Sequence, residues 1–215
     1  MIDRIIFITG VILYVFLHSI RMARGTFRIV IVPRFGKLVF KFPIVRISYC
    51  RRWMKGWFKE GGYKRLKVDL QIRLDSGIGP KAGLLKGLRD NWMEFLFWVT
   101  TRHAFVQPTY LSLFGLVSVQ RKGYPVGMEY PIFACKMEQL MGFGAFYQDP
   151  HHFAEGKNFC LEDRTLRMTD YGNKKTRELI RTYGEAIQSG FDPALRFKEY
   201  QGGDQPPFLN QNPYH

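Results

Sequence analysis

Cysteine is scarce in this chain, and its few cysteines lie far apart. The 215 residues include Cys50, Cys135 and Cys160, and no CxxC pair. This number and this spacing exclude a disulfide framework and a zinc cluster built on cysteine. Reduced, buried thiols in a cytosolic protein are therefore the default expectation. A hydrophobic content of 46% is typical of a globular chain.

Acidic residues are few in the N-terminal part of the chain. Residues 21–90 hold 18 Lys/Arg and four Asp/Glu, whereas residues 91–215 hold 13 of each. The net charge of +14 is thus concentrated in the first of these segments. Such a field attracts nucleotide phosphates, nucleic acid, anionic lipid headgroups or an acidic protein. Charge alone does not choose among these partners, and an ordinary solvated basic surface is equally compatible with it.

A hydrophobic run of full membrane-spanning length is also missing. Residues 5–20 form 16 positions without a formal charge, just below the lower limit of about 17 for a spanning helix. We predict an apolar helix over residues 1–26. It would be either a membrane anchor or a helix buried in a core or against a partner. Arginines follow the run, so an anchored chain would keep its body in the cytoplasm.

Local patterns in the first half predict strands and helices in alternation. Residues 27–32 and 37–42 are rich in strand formers and flank Pro33-Arg34-Phe35-Gly36, which predicts a β-hairpin. Helices are expected at 50–62 and 86–101, and a pair of strands at 110–120. The apolar residues of the second helix repeat at helical spacing and predict its buried face: Leu88, Trp92, Phe95, Leu96 and Val99.

The second half is predicted to be mostly helical around one short hairpin. Helices are expected at 131–141 and 174–188, with an irregular stretch at 142–157 between them. Residues 159–161 and 166–169 should pair as two short strands. The Pro-rich polar residues 201–215 should form a flexible tail.

Polar groups occupy both ends of that short hairpin. Asn158 comes just before its first strand, and Asp170 comes just after its second strand. A tight turn would bring the two ends to the same side, so that the amide and carboxylate oxygens converge. Oxygen ligands of this kind suit Mg²⁺, which also keeps water and substrate phosphates in its shell.

The segment HHFAEGKNFCLEDRTLRMTDYG, residues 151–172, resembles the catalytic loop, hairpin and DFG region of protein kinases. In that family H-R-D-x-x-x-x-N and D-F-G supply the asparagine and aspartate that hold magnesium. Asn158 matches the metal-binding asparagine. Asp170-Tyr171-Gly172 resembles DFG, in the D-Y-G form of atypical bacterial kinase-like proteins.

The resemblance implies a fold, a ligand and further site residues. It implies an α+β, protein-kinase-like two-lobed fold over 27–200, with an N-lobe of about 27–127. The C-lobe, about 128–200, would be reduced, since 43 residues follow Gly172. The implied cofactors are ATP and Mg²⁺. Lys41, with Lys37 as second choice, would contact the α/β-phosphates. Glu94 would be its partner on the helix at 86–101, unless Glu94 is an ordinary surface charge.

The kinase pattern breaks at the catalytic base. Phe153 stands where the family has the aspartate of H-R-D, and it cannot accept a proton. Asp149 and His152 are the candidates to replace this aspartate as the catalytic base. In the simpler alternative, Asp149 belongs to a turn, His152 is a loop residue, and neither has a catalytic role. The resemblance therefore implies a pseudokinase or an atypical small ATP-dependent phosphotransferase, with activity left open.

A different class of function remains open beside the kinase-like one. The chain would then be a basic structural or interaction protein that binds nucleic acid, an acidic partner or an anionic membrane. In the predicted helix at 50–62, basic residues interleave with Trp53 and Trp57, which suits phosphate contact with base stacking and equally suits a lipid surface.

Overall fold

The computed structural model describes residues 20–34, 36–60 and 80–192, together with Gly62, Lys64 and Lys67. Within them the fold is mixed α+β, as predicted, with antiparallel sheets. Residues 1–19 and 193–215 lie outside the described residues, and with them lie most of the predicted N-terminal helix and the whole predicted tail. No helix of the described part is long and apolar enough to cross a membrane.

Five antiparallel strands form the larger sheet, in the order β1-β2-β3-β5-β4. They are β1 (Ile20–Arg24), β2 (Arg28–Pro33), β3 (Leu38–Pro43), β4 (Thr109–Leu113) and β5 (Val117–Arg121). The predicted β-hairpin is confirmed as β2–β3, and the predicted pair of strands is confirmed as β4–β5. Strand β1 corrects the prediction of a helix running to residue 26. A turn at Gly25, whose N–H donates to the Arg28 carbonyl, folds the chain back so that β2 satisfies the β1 backbone.

Two helices accompany this sheet, α1 (Ile47–Glu60) and α2 (Pro80–Thr101). Both were predicted, and α2 begins earlier than the expected Lys86. Its first residue is Pro80, and proline is favoured at the first helical position because its missing N–H would have no helical partner there. Helix α2 packs against α1, β3 and β4.

The predicted buried face of α2 is wrong. Val99 is exposed, and the other four predicted core residues are only half-buried. The face that is buried is largely polar and consists of Ala82, Gly83, Lys86, Gly87, Asp90, Asn91, Glu94 and Phe97. Helical periodicity predicts the spacing of the residues on a buried face. It does not predict which face is buried when polar side chains find hydrogen-bond or ion-pair partners in the interior.

A smaller sheet, in the order β6-β7-β8, lies in the second half. Its strands are β6 (Tyr124–Pro125), β7 (Phe159–Glu162) and β8 (Thr165–Met168). The predicted hairpin β7–β8 is confirmed. Its turn residues Asp163 and Arg164 both have positive φ, the backbone form whose twist matches that of paired strands.

The helices of the second half are α3 (Tyr130–Met141), α4 (Phe143–Phe146), α5 (Pro150–Phe153) and α6 (Lys174–Gly190). Helices α3 and α6 confirm the predictions. The stretch predicted as irregular instead contains α4, α5 and a 3-10 turn at Gly156–Asn158. Gly142, with a φ of 77°, ends α3, and Pro150 begins α5. A glycine and a proline therefore mark these two helix boundaries in the sequence.

The chain divides into two compact units. Unit 1 comprises the described residues up to Arg102, with Gln107–Lys122 and Tyr171–Lys174. Unit 2 comprises His103–Val106, Gly123–Asp170 and the described residues from Lys175 onward. Aromatic rings fill the core of unit 2, where Phe133 and Phe159 lie 4.9 Å apart between ring centroids.

Candidate functional site

A buried ion pair in unit 1 joins two of the predicted site residues. Lys41 lies on β3 and Glu94 lies on α2, and the Lys41 Nζ is 2.7 Å from a Glu94 carboxylate oxygen. Glu94 is fully buried and Lys41 is 4% exposed. The alternative interpretation of Glu94 as a surface charge is therefore excluded. Lys37, the second choice for the lysine, is exposed in the turn before β3.

Arg28 is a member of this cluster that sequence reasoning missed. Its guanidinium lies 2.5 Å from the second oxygen of Glu94, and the residue is 9% exposed. Arg28 opens β2, and it is the only charged residue in the strand sequence RIVIVP. A lone cation in an otherwise apolar strand was the available signal. Glu94 thus lies between two cations, and the three side chains together carry a formal charge of +1.

Asn91 links α2 to β3 and to the β4–β5 turn, and Tyr171 contacts Glu94 directly. The Asn91 side-chain amide donates to the carbonyls of Lys41, at 3.3 Å, and Gly115, at 3.0 Å. The backbone N–H of Tyr171 donates to Glu94 at 3.3 Å. The Asp-Tyr-Gly motif is therefore tied through its tyrosine to the helix that carries Glu94.

Gly172 has a steric reason to be glycine. A Cβ at this position would lie 2.5 Å from the Asp90 Cβ and 2.8 Å from the Asp90 carbonyl oxygen. Real Cβ atoms do not approach backbone so closely, so any side chain would push the segment away from α2. The third residue of the motif thus permits the close approach of Tyr171 to Glu94.

The phenol of Tyr171 is held in the interior of unit 1. Its hydroxyl donates to the Gln107 carbonyl at 2.7 Å and lies 2.7 Å from the Thr109 hydroxyl. Burial, reinforced by the negative charge of Glu94, raises the pKa of Tyr171 far above its ordinary value. Tyr171 is therefore a neutral hydrogen-bonding group that anchors the motif.

This cluster is chemically suited to binding an anion. Two buried cations share one carboxylate, and buried charge is stable only when it is paired and hydrogen-bonded. A phosphate oxygen is a strong acceptor for lysine and arginine donors. Arg28 and Lys41 also make contacts with other groups, so the cluster is a structured network.

In unit 2, Asn158 presents a side-chain oxygen as a potential cation ligand. Its amide nitrogen donates to the carbonyls of His151, at 3.3 Å, and His152, at 3.1 Å. These bonds fix the amide orientation, and among the described residues nothing donates to its Oδ1. Asn158 is 8% exposed. An oriented, largely buried amide oxygen of this kind is an appropriate ligand for Mg²⁺.

Asp170 comes directly after Thr169, whose backbone is hydrogen-bonded to that of Asn158 at the end of the β7–β8 hairpin. The Thr169 N–H donates to the Asn158 carbonyl at 2.8 Å, so the chain at Asp170 leaves from the same end of β7–β8. This backbone link supports the predicted convergence of the two residues. Within the described ranges no three His, Cys, Asp or Glu side chains form a metal-binding group. Two protein ligands still suit Mg²⁺, which takes its remaining ligands from water and substrate phosphates.

The predicted replacements for the catalytic base are in contact with each other. An Asp149 oxygen lies 2.7 Å from His152 Nδ1, and the other Asp149 oxygen accepts a hydrogen bond from the Thr176 hydroxyl on α6. Asp149 is 9% exposed. The Asp149 carboxylate therefore orients the His152 imidazole and connects the start of α5 to α6. Asp149 thus has specific side-chain contacts that a simple turn residue would lack.

Phe153 belongs to the hydrophobic core of unit 2. It is fully buried, and its ring lies 6.2 Å from that of Phe159. The position predicted to match the aspartate of H-R-D is thus committed to packing and offers no proton acceptor.

Comparisons with protein-family models, with curated proteins and with solved structures find no match for this chain. Similarity therefore shows no family for it, and the contacts of its own residues carry the functional proposal.

Proposed function

We propose that this chain is a kinase-like protein, a pseudokinase or an atypical small kinase, that binds ATP with Mg²⁺. The observation that carries the proposal is the buried Lys41–Glu94 pair. In protein kinases a lysine of the third strand contacts the α/β-phosphates and pairs with a glutamate of the following helix. Among the described elements, Lys41 stands on the third strand, and Glu94 stands on a helix that precedes the fourth strand.

The order of elements gives further support. A five-stranded antiparallel sheet with one helix against it is followed along the chain by helices, a short hairpin and the Asp-Tyr-Gly motif. The hydrogen bond from the Tyr171 N–H to Glu94 connects that motif to the lysine's partner. We accordingly propose a protein-kinase-like two-lobed fold with a reduced C-lobe.

Asn158 and Asp170 would hold the magnesium ion. When bound, the ion would supply positive charge that neutralises phosphate charge. The chain's own contribution is orientation, because the His151 and His152 carbonyls fix the Asn158 amide with its oxygen available.

Catalysis would be weak or absent. Phe153 cannot accept the proton of an attacking hydroxyl, and positioned proton transfer typically contributes about 10²–10⁴-fold to rate. If phosphoryl transfer survives, the Asp149–His152 pair would have to accept that proton, with Asp149 as the residue that orients the imidazole.

Thermal unfolding with and without ATP and Mg²⁺ tests the proposal. A ligand at one hundred times its Kd stabilises by about 2.7 kcal/mol. For a chain of this size that raises the Tm by roughly 5–10 °C. We expect such a rise for the wild type, a smaller rise for Asp170→Ala, and little or none for Lys41→Met.

The controls separate lost binding from lost stability. Each variant is compared with itself without ligand, because removing buried Lys41 lowers the Tm by itself. Lys37→Met removes an exposed lysine nearby in sequence and should respond to ATP like the wild type. A wild-type Tm that stays unchanged at millimolar ATP and Mg²⁺ would contradict the proposed binding.

A further inference from the structure

Helix α1 has one side turned toward the protein and an opposite side that is exposed. Cys50 is buried, and Trp53 and Trp57 are half-buried. Because these positions are three and four residues apart, they share one side of the helix. The two tryptophans thus lie on the packed side, and a partner of α1 meets mainly the other side.

A strip of large apolar side chains runs along the exposed side of α1. Ile47 is 72% exposed, Met54 is 45% exposed and Phe58 is 89% exposed. They are seven and four residues apart, so they lie in line along the helix. No described large hydrophobic side chain is more exposed than Phe58. Apolar side chains aligned in this way indicate a surface that meets something other than water.

Cations lie directly beside this apolar strip. Arg51 is four residues from Ile47 and three from Met54, and Lys55 is three residues from Phe58. Side chains at these spacings are neighbours on a helix surface. An open depression on the same side is lined by Ile47, Ser48, Arg51, Arg52 and Lys55. We name the exposed side of α1 with Ile47, Arg51, Met54, Lys55 and Phe58 the α1 face.

The positive charge of the α1 face is not neutralised by its surroundings. Arg51, Arg52, Lys55 and Lys59 are exposed, and Glu60, the last residue of α1, is the only acidic residue of the helix. Among the described residues no carboxylate pairs with any of these four cations. The exposed side of α1 therefore combines an apolar strip with an open positive field.

We propose that the α1 face docks onto the surface of an anionic lipid bilayer. A helix that lies in the interface buries its apolar side chains at the boundary between headgroups and acyl chains. Arginine and lysine extend their charged ends to the headgroups, and anionic lipid attracts them. The apolar strip supplies the insertion, and the adjacent cations supply the attraction. This binding does not depend on the proposed ATP site.

Other partners match the α1 face less completely. A second copy would bring two clusters of four unpaired cations together, and like charges repel. A nucleic acid would pair with the cations, but phosphate contacts give the aliphatic side chains of Ile47 and Met54 nothing to bind. An acidic protein groove would have to surround the helix, whereas α1 is packed against α2 and offers one side. A flat anionic surface satisfies both the charge and the apolar strip.

Vesicle sedimentation of the full chain tests the proposal. The probe is phosphatidylcholine vesicles with about 30% phosphatidylserine, compared with phosphatidylcholine alone. We expect binding to the anionic vesicles that weakens with salt. Phe58→Gln should weaken it about tenfold or more, since burial of a phenylalanine contributes that much. Arg51→Gln/Lys55→Gln should weaken it about thirtyfold at low salt, since each cation near such a surface contributes about fivefold.

Matched controls remove the same groups elsewhere in the chain. Phe143→Gln removes a phenylalanine of α4 that is 57% exposed. Lys174→Gln/Lys175→Gln removes two exposed charges at the start of α6. Both controls should bind vesicles like the wild type. The α1 variants change exposed side chains, so their Tm should equal that of the wild type.

Two sedimentation results would overturn the proposal. One is equal binding by the wild type and Phe58→Gln, or equal losses in the α1 variants and their controls. The other is no binding of the wild type to anionic vesicles, whether or not it binds nucleic acid or an acidic protein instead.

An added tryptophan separates the α1 face from the apolar run at residues 5–19, which stays intact in every variant. In Phe58→Trp, the emission gained over the wild type should be strongly quenched by brominated lipid in anionic vesicles. In Phe143→Trp, the gained emission should not be quenched. An unquenched gain in Phe58→Trp would show that other residues hold the chain on the vesicle and would overturn the proposal.

Discussion

Glu94 shows how one buried carboxylate organises its surroundings. It accepts from the side chains of Arg28 and Lys41 and from the Tyr171 N–H, and it has no exposed surface. Each of these partners comes from a different segment of the chain. Removing the carboxylate charge would leave two buried cations without their shared counter-ion, which is far more costly than losing a surface pair.

Glu94→Gln should therefore lower the free energy of unfolding by about 3–5 kcal/mol, the usual cost of breaking a buried ion pair. Urea denaturation of the variant and the wild type measures this difference. Glu185→Gln makes the same change at an exposed position of α6 and should stay within about 0.5 kcal/mol. Equal losses for the two variants would contradict a structural role for the buried cluster.

At the scale of elements, α2 lies unusually close to the backbone around it. A Cβ on Gly87 would come within 2.3 Å of the Phe27 carbonyl oxygen, and one on Gly115 within 2.0 Å of the Leu88 carbonyl oxygen. The helix approaches the sheet at Gly87, and the β4–β5 turn approaches the helix at Gly115. These contacts allow Glu94 to reach both β2 and β3.

Two glycine-to-alanine changes in helices should have opposite effects. Gly87→Ala in α2 should destabilise the protein by about 1–3 kcal/mol, because overpacking against backbone outweighs the gain in helix propensity. Gly56→Ala in α1 meets nothing within 4 Å and should stabilise it by about 0.5–1 kcal/mol. Thermal unfolding of both variants measures the contrast, and a stabilising Gly87→Ala would contradict the close helix–sheet approach.

For the whole molecule, buried titratable groups set the pH range of stability. Burial lowers the pKa of His103 below 6.5, and the negative charge of Glu185 opposes this only in part. Burial also raises the pKa of Tyr171 above 10.0, and that of the partly exposed Tyr147 in the same direction. In each case the folded state favours the neutral form, so ionisation favours unfolding.

The free energy of unfolding should accordingly be flat between about pH 6.5 and 10 and fall on both sides. Below pH 6.5 the unfolded chain binds a proton at His103 that the folded chain resists. Above pH 10 the unfolded chain releases the Tyr171 proton and the folded chain keeps it. Chemical denaturation across this range measures both limbs.

Two variants show which residue causes the loss of stability on each side of that pH range. His103→Gln should flatten the acid side, and Tyr171→Phe should flatten the alkaline side even though it loses hydrogen bonds and lowers stability throughout. An unchanged alkaline slope in Tyr171→Phe would show that another group controls it.

Sequence by itself determined the local elements. The turn at residues 33–36 specified the β2–β3 hairpin, and the turn at Asp163-Arg164 specified β7–β8. Periodicity specified α2, α3 and α6. These features rest on neighbouring residues, whose backbone preferences and spacing can be read along the chain. The pairing of Lys41 with Glu94 was also expected, through a resemblance and not through local pattern.

Only the tertiary structure decided which side of α2 is buried and which residues join the site. Hydrophobicity placed Trp92 and Val99 inside, but hydrogen bonds and ion pairs to distant strands reward burial of Asn91 and Glu94 instead. Thr176 could not be assigned for the same reason, since its partner Asp149 lies far away in sequence. Arg28 stood out as a lone cation in an apolar strand, but its partner Glu94 was equally distant. Burial of a polar group depends on a partner that only the folded chain supplies.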